Sequence, residues 1–160
     1  MKTSDAGRKL IEKFEGLFLQ AYDDATERVV MPGNRIRGTL TIGYGHTSAA
    51  GPPRVYVGQT IDQALADDIL SVDLAAVEIE VNHLVKVALN QNQFDALVSF
   101  QFNTGWLGHV HCSLLAALNA GNYEIADEDF MLYDRAHGQI LVGLDRRRAA
   151  EKALFEEPVA

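Results

Sequence analysis

Cysteine is almost absent: Cys112 stands alone, so no internal disulfide can form. A lone thiol of this kind reads as a buried structural side chain, and no histidine pattern marks it as a nucleophile. No run of about 18 apolar residues occurs, which excludes a helical membrane span and stable insertion. The opening residues, Met1-Lys2-Thr3-Ser4-Asp5-Ala6-Gly7-Arg8, hold no apolar signal core. They predict a protein that stays in the cytoplasm where it is made until something else releases it. Basic residues are few, 14 Lys and Arg against 22 Asp and Glu, for a net charge of -8. With no basic patch interleaved with aromatics, nucleic acid is excluded as a partner. The shortage is uneven: residues 1–54 carry 8 basic against 6 acidic side chains, and residues 55–160 carry 6 against 16. The first part can attract an anionic polymer, while the acidic remainder reads as a solvated outer face. There is no internal repeat and no low-complexity segment.

What is present suffices for a real core. The 160 residues are 48% hydrophobic, which predicts one domain, or two small lobes sharing a helix. Ser4 reads as an N-cap for a helix whose face is Ala6, Leu10, Ile11 and Phe14, ended by Gly16. Short strands follow, with Arg28-Val29-Val30-Met31 and Thr39-Leu40-Thr41-Ile42-Gly43-Tyr44 on either side of a Pro32-Gly33 turn. Thr60-Ile61-Asp62-Gln63 has the form of a capping box. The long helix after it places Leu65, Ile69, Val72 and Val77 at mostly helical spacing. Its acids (Asp62, Asp67, Asp68, Asp73, Glu78, Glu80) read as a solvated face, because no loop of alternating oxygen ligands is there for calcium. Asn90 with Gln93 starts a core helix that ends at Asn103-Thr104-Gly105. Ser113–Asn119 forms a short helix. Another runs from Tyr123 to about Asp134 with Ile125, Ala126 and Phe130 buried, and a last helix spans 145–155. Trp106 suits either sugar stacking or a core anchor. His109 and His111 lack a third metal ligand.

The chain is organised around Glu15 to Thr47. Glu15 ends the first helix, and the helix terminus disfavours a negative charge there. Partial burial adds to that effect, and both favour the protonated form that an acid catalyst needs. Asp24 follows nine positions later. Thr41 opens Thr41-Ile42-Gly43-Tyr44-Gly45-His46-Thr47, whose glycines permit close backbone approach by a polymeric ligand. Two carboxylates brought by different elements suit glycoside hydrolysis. Asp23 sits beside Asp24. Arg35 and Arg37 are either solvated loop residues or contacts for substrate carboxylates. His46 has no second metal ligand at a useful spacing, so packing and hydrogen bonding describe it better than ligation.

At Phe14-Glu15-Gly16, Ala21-Tyr22-Asp23-Asp24 and Thr41–Thr47 the sequence resembles the phage-type lysozymes of glycoside hydrolase family 24. The likeness extends over nearly the whole chain, through Asn103-Thr104-Gly105 to Gly143-Leu144, Arg147-Arg148, Glu151 and Leu154-Phe155. The resemblance implies a lysozyme-like α+β, mainly α fold. A small antiparallel sheet lies in an N-terminal lobe (about 1–59). A linking helix (about 60–83) joins it to a helical C-terminal lobe (about 84–160), with a cleft between the lobes. It implies Glu15, Asp24 and Thr41 as the catalytic trio, the family's spacing selecting Asp24 over Asp23. Gly43, Tyr44, Gly45, His46 and Asn103 are then expected to bind substrate. The activity implied is hydrolysis of the β-1,4 bond between N-acetylmuramic acid and N-acetylglucosamine in peptidoglycan, by a monomer with no metal or organic cofactor. The role implied is that of an endolysin in host lysis, with a separate holin-type membrane protein giving access to the wall. Two other readings share these residues. One is a peptidoglycan-binding module that lost catalysis, against which the presence of all three catalytic residue types stands. The other is an interbacterial effector with the same chemistry, which the sequence does not separate from an endolysin. One departure stands out: Ala25–Leu40 is longer than the family's usual hairpin between Asp and Thr, and is expected to form a substrate-side flap outside the core.

Overall fold

The computed structural model describes residues 1–136 and 138–158. In chain order the elements are α1 (Asp5–Glu15), β1 (Phe18–Asp23), β2 (Arg28–Val29), β3 (Leu40–Gly43), β4 (His46–Thr47), α2 (Gln63–Leu84), α3 (Gln91–Thr104), α4 (Ser113–Asn119), α5 (Tyr123–Asp129), a 3-10 turn (Phe130–Tyr133), β5 (Arg135–Ala136), β6 (Gln139–Ile140) and α6 (Val142–Glu156). The chain divides into two compact units, one from Glu12 to Ala75 and one made of Met1–Ile11 with the chain from Ala76 onward. The division falls inside α1 and inside α2.

The Glu12–Ala75 unit is built on a four-stranded antiparallel sheet of order β2-β1-β3-β4. Tyr22 pairs with Val29 on one side and Thr41 on the other, and Ile42 pairs with His46. A bulge lies between the Phe18 and Tyr22 pairings with β3. The segment 58–61 extends the sheet's contacts: Ala21 N donates to Gln59 O (2.9 Å) and Ile61 N to Leu19 O (2.9 Å). Ala21, Ile42, Ile61, Ala66, Ile69 and Leu70 are buried. Of the β-prone run 28–31, only Arg28–Val29 pairs as a strand; Val30 is buried, and Met31–Thr39 is exposed throughout. The long segment thus lies outside the core apart from Val30.

Two sequence expectations for α2 are corrected. Its N-cap is Asp62, whose Oδ1 accepts from Leu65 N at 2.8 Å, and not Thr60. Its buried line runs through Ala66, Ile69, Leu70, Leu74 and Val81, while Leu65 and Val72 are exposed. The acids are not all solvated either. Asp73 meets His46, and Glu78 accepts from Thr3 N (2.8 Å) and pairs with Lys2 (2.8 Å). Glu80 stays exposed, as expected, and accepts from Gln101 Nε2 at 2.7 Å.

In the other unit α3 is buried from Phe94 to Gln101 without interruption, the mark of a central helix. The capping box forms as its sequence predicts, with Gln93 N donating to Asn90 Oδ1 (2.8 Å) and Asn90 N to Gln93 Oε1 (3.0 Å). Gly105 closes the helix at φ 60°. α1 starts on Ser4, whose Oγ accepts from Ala6 N (3.2 Å) and Gly7 N (3.3 Å). Ser4 N in turn donates to Asp95 Oδ1 at 3.0 Å. Gly7 is required there, since a Cβ would lie 2.6 Å from the Asp95 side chain. The expected Ala6 is exposed, and Gly7 and Ile11 are the buried positions.

Phe100 packs edge-on to Phe130 (5.6 Å between centroids) and Tyr133 (5.0 Å). Two of the three arginines of α6 pair with a neighbouring acid: Glu151 lies 3.1 Å from Arg147 Nε and 2.8 Å from Arg148 Nε. Cys112 is a free, buried thiol. α5 ends at Asp129, where the 3-10 turn takes over, and Ile125 is exposed, not buried. The short β5–β6 pairing, Arg135 with Ile140, had no sequence signal.

Candidate active site

Glu15 stands in the last turn of α1, half-buried. Gly16, at φ 70°, turns the chain out of the helix and toward β1. Across from Glu15 lies the β3–β4 turn. Gly45 takes φ 85° there, and a Cβ on it would sit 3.2 Å from Glu15 Oε2. The carboxylate therefore rests against the bare face of a glycine, a contact a side chain would crowd.

The neighbours Asp23 and Asp24 have different surroundings. Asp23 is buried, and its carboxylate accepts from Arg37 N (2.8 Å), Gly38 N (2.9 Å) and Ala25 N (3.1 Å). These bonds, led by that from Arg37 N, hold its carboxyl below the usual range. Its place is to close the 25–38 loop. Asp24 is exposed, and its Oδ1 accepts from Thr39 N at 2.6 Å. Gly38 runs against it so tightly that a Cβ would fall 2.0 Å from Asp24 Oδ1. No local turn motif announces this Gly38 contact, because Asp24 lies fourteen residues earlier in the chain.

Thr41 is buried on β3, with Oγ1 donating to Thr39 O at 3.1 Å. Directly opposite on β1 is Tyr22, so the two side chains share a face of the sheet. Tyr22 stacks on Phe18 at 4.1 Å between centroids. Burial pushes its phenol pKa up, and the charges of Glu15, Asp24 and Glu27 push it further, in that order. Both candidate acids therefore bear on one phenol. Tyr22 lies inside the motif but carried no assigned role; its opposition to Thr41 needs the strand register, which the sequence alone does not supply.

The remaining expected residues are placed as follows. Gly43 (φ 65°) and Tyr44 are buried in the β3–β4 turn. His46 is buried with Nδ1 2.9 Å from Asp73 Oδ2 and Nε2 2.8 Å from Pro53 O, so its ring holds the turn in place. Asn103 belongs to the other unit, where its Oδ1 accepts from Arg148 Nη2 at 2.8 Å. Trp106 is exposed and stacks on His109 at 3.6 Å between centroids. Among the described residues no three His, Cys, Asp or Glu are grouped to hold a metal ion.

The architecture is the lysozyme-like fold. The crystal structure of a P22 lysozyme mutant superposes with a TM-score of 0.80 at 35% identity, covering 98% of this chain and 99% of that one. The muramidase domain of SpmX from Asticaccaulis excentricus gives 0.80 at 38% identity, with 98% and 99% covered. The phage lysozyme family model matches residues 12–151, and the chain belongs to that family. It is 39% identical over 160 residues to the endolysin of Acyrthosiphon pisum secondary endosymbiont phage 1, covering 98% of this chain and 99% of the relative. It is 41% identical over 155 residues to the endolysin of Bacillus phage PZA, covering 97% of this chain and 55% of that protein's length. The chain thus spans little more than half of the PZA endolysin.

Proposed function

We propose that this chain is a peptidoglycan-degrading lysozyme of phage lysis, cutting the β-1,4 bond between N-acetylmuramic acid and N-acetylglucosamine. The reading is supported by Glu15 resting against Gly45 of the β3–β4 turn and by Thr41 lying opposite Tyr22 on the strand that leads to Asp24, in a chain of the phage lysozyme family. Glu15 protonates the leaving glycosidic oxygen. Asp24 takes a proton from water, which Thr41 Oγ1 helps to hold, and the water attacks the anomeric carbon from the opposite face. The reaction inverts. Such an arrangement needs roughly 6.5–9.5 Å between the carboxyl groups, against about 5–5.5 Å for a retaining pair. Gly43, Tyr44, Gly45, His46 and Asn103 form the substrate-binding set, with His46 acting through the turn it fixes. The protein works as a monomer without a cofactor. It is made in the host cytoplasm and reaches the wall once a holin-type membrane protein opens the way. Among the described residues no helix is long and apolar enough to cross a membrane.

Turbidity clearing and reducing-end release on purified walls test the reading. Wild type clears them. Glu15→Gln keeps the shape but has no proton to donate, so it loses nearly all turnover while still binding wall fragments. Proton NMR early in the reaction shows the α anomer first. A β product at first appearance, or an adduct trapped on Asp24, replaces inversion with retention.

A further inference from the structure

Arg28, Arg35 and Arg37 line one cavity of about 730 Å³ in the Glu12–Ala75 unit, together with Asn34, Val30 and Asp23. We propose that this cavity is an anion-binding subsite for the carboxylates of the peptide branches on the wall polymer. The inference rests on the muramidase reading above and adds to it what the long 25–40 segment reads.

The loop that forms the cavity is built. Asn34 closes a tight turn, donating N–H to Met31 O (3.0 Å) and accepting Met31 N at Oδ1 (2.9 Å). Asp23 pins the returning strand through Arg37 N and Gly38 N. Arg28 stands opposite Asp23 in the β1–β2 register, and Val30 below is buried. Among the described residues none of the three guanidiniums is paired with a carboxylate, although the chain carries a net charge of -8. Asp23 is the one acid in the lining, and its oxygens are already occupied by backbone N–H groups. The lining therefore has a surplus of positive charge with planar, forked donors, which match a carboxylate in two parallel hydrogen bonds.

Its position identifies the ligand. Asp23 in the cavity wall is the chain neighbour of Asp24, and one returning segment holds both carboxylates, Asp23 through Arg37 N and Gly38 N and Asp24 through Thr39 N. An anion bound here belongs to the polymer whose bond lies at Asp24. In peptidoglycan the carboxylates attached to the muramic sugars are those of the stem peptides.

The test uses the full chain with Glu15→Gln to prevent turnover. Titration calorimetry compares a soluble tetrasaccharide wall fragment bearing stem peptides with the same fragment whose peptide carboxyls have been amidated. The intact fragment binds about tenfold more tightly, the worth of one charge-assisted bidentate contact. Adding Arg28→Gln, Arg35→Gln and Arg37→Gln brings the ratio close to one, with the circular dichroism spectrum unchanged because all three side chains are exposed. Arg37→Lys alone gives an intermediate ratio. An unchanged ratio in the triple variant overturns the proposal. So does arginine-dependent binding of a polyol-phosphate wall polymer in preference to the peptide-bearing fragment. Failure of the wider reading appears separately, as wild-type protein that releases no reducing ends from purified wall.

Discussion

Buried His46 lies 2.9 Å from half-buried Asp73, tying the β3–β4 turn to the first half of α2. Pro53 O takes the other ring nitrogen at 2.8 Å. Both ring nitrogens thus face oxygen acceptors. Removing either partner leaves a buried polar group alone. Asp73→Ala or His46→Ala is expected to cost about 1–3 kcal/mol in urea unfolding, the scale of a polar group left without its partner. The double variant costs less than the sum of the two. Additive losses would mean that the pair does not act as a unit.

Gly38→Ala separates activity from stability. The new methyl meets Asp24 Oδ1 at 2.0 Å and the Ala25 Cβ at 2.7 Å. The loop is exposed, so it relaxes by displacing Asp24 at little cost to the fold. Wall hydrolysis is expected to fall by about 100-fold, the scale of a roughly 1 Å misplacement at a reacting group, while the melting temperature moves by a few degrees at most. A variant with full activity would remove Asp24 from the chemistry. Gly45→Ala serves as the companion, because its Cβ would press on Glu15 Oε2 and its φ of 85° suits only glycine well.

These contacts mark where the sequence could and could not be read. Asn90, Gln93 and Gly105 announce α3 because caps are local chemistry, complete within four residues. The Glu15–Thr47 motif is local as well. The largest side chains of α2 suggest a buried line through Leu65 and Val72, yet the helix buries Ala66 and leaves both of them in solvent. Two of its acids are structural only because His46 and the Lys2–Thr3 segment come to meet them. Asp23 and Asp24 look alike on paper. Their difference lies in three backbone N–H groups folded back from a loop. Partners distant in sequence decide each of these cases, and a single chain's pattern does not carry them.

Lys152 clamps α5 to α6. Its ammonium pairs with Asp127, with Glu128 at 3.1 Å and with Glu156 at 2.9 Å. Burial raises the Asp127 pKa, whereas Lys152 lowers that of Glu156. Lys152→Met leaves three carboxylates without their counter-charge, one of them buried. Burial then holds the Asp127 carboxyl above its unfolded pKa with no counter-charge to oppose it, so stability is lost as pH climbs. The variant is expected to be destabilised by roughly 2 kcal/mol at neutral pH, the scale of a lost bond to a charged group. The deficit shrinks toward pH 4, where the acids protonate. Denaturant unfolding at both pH values checks this, and an equal deficit at each would show that the loss is packing alone.

Tyr22 offers a direct probe of both candidate catalytic carboxylates. Burial and the charges of Glu15, Asp24 and Glu27 all oppose its ionisation, so its folded pKa lies above the ordinary 10.0. The sign of the linkage follows. A group with a raised folded pKa contributes its full stability below the unfolded value and loses it as pH rises through the folded one. Alkaline destabilisation therefore begins near pH 10, where the unfolded tyrosine ionises first. Neutralising either acid removes one source of repulsion. Ultraviolet difference titration of Glu15→Gln and of Asp24→Asn is expected to show the Tyr22 transition moving to lower pH in both, with the larger movement for Glu15→Gln. Tyr22→Phe, which lacks the transition, assigns it among the five tyrosines. If Asp24→Asn leaves the transition in place while Glu15→Gln moves it, the two carboxylates do not bear on one phenol, and the proposed joint role of Glu15 and Asp24 loses that support.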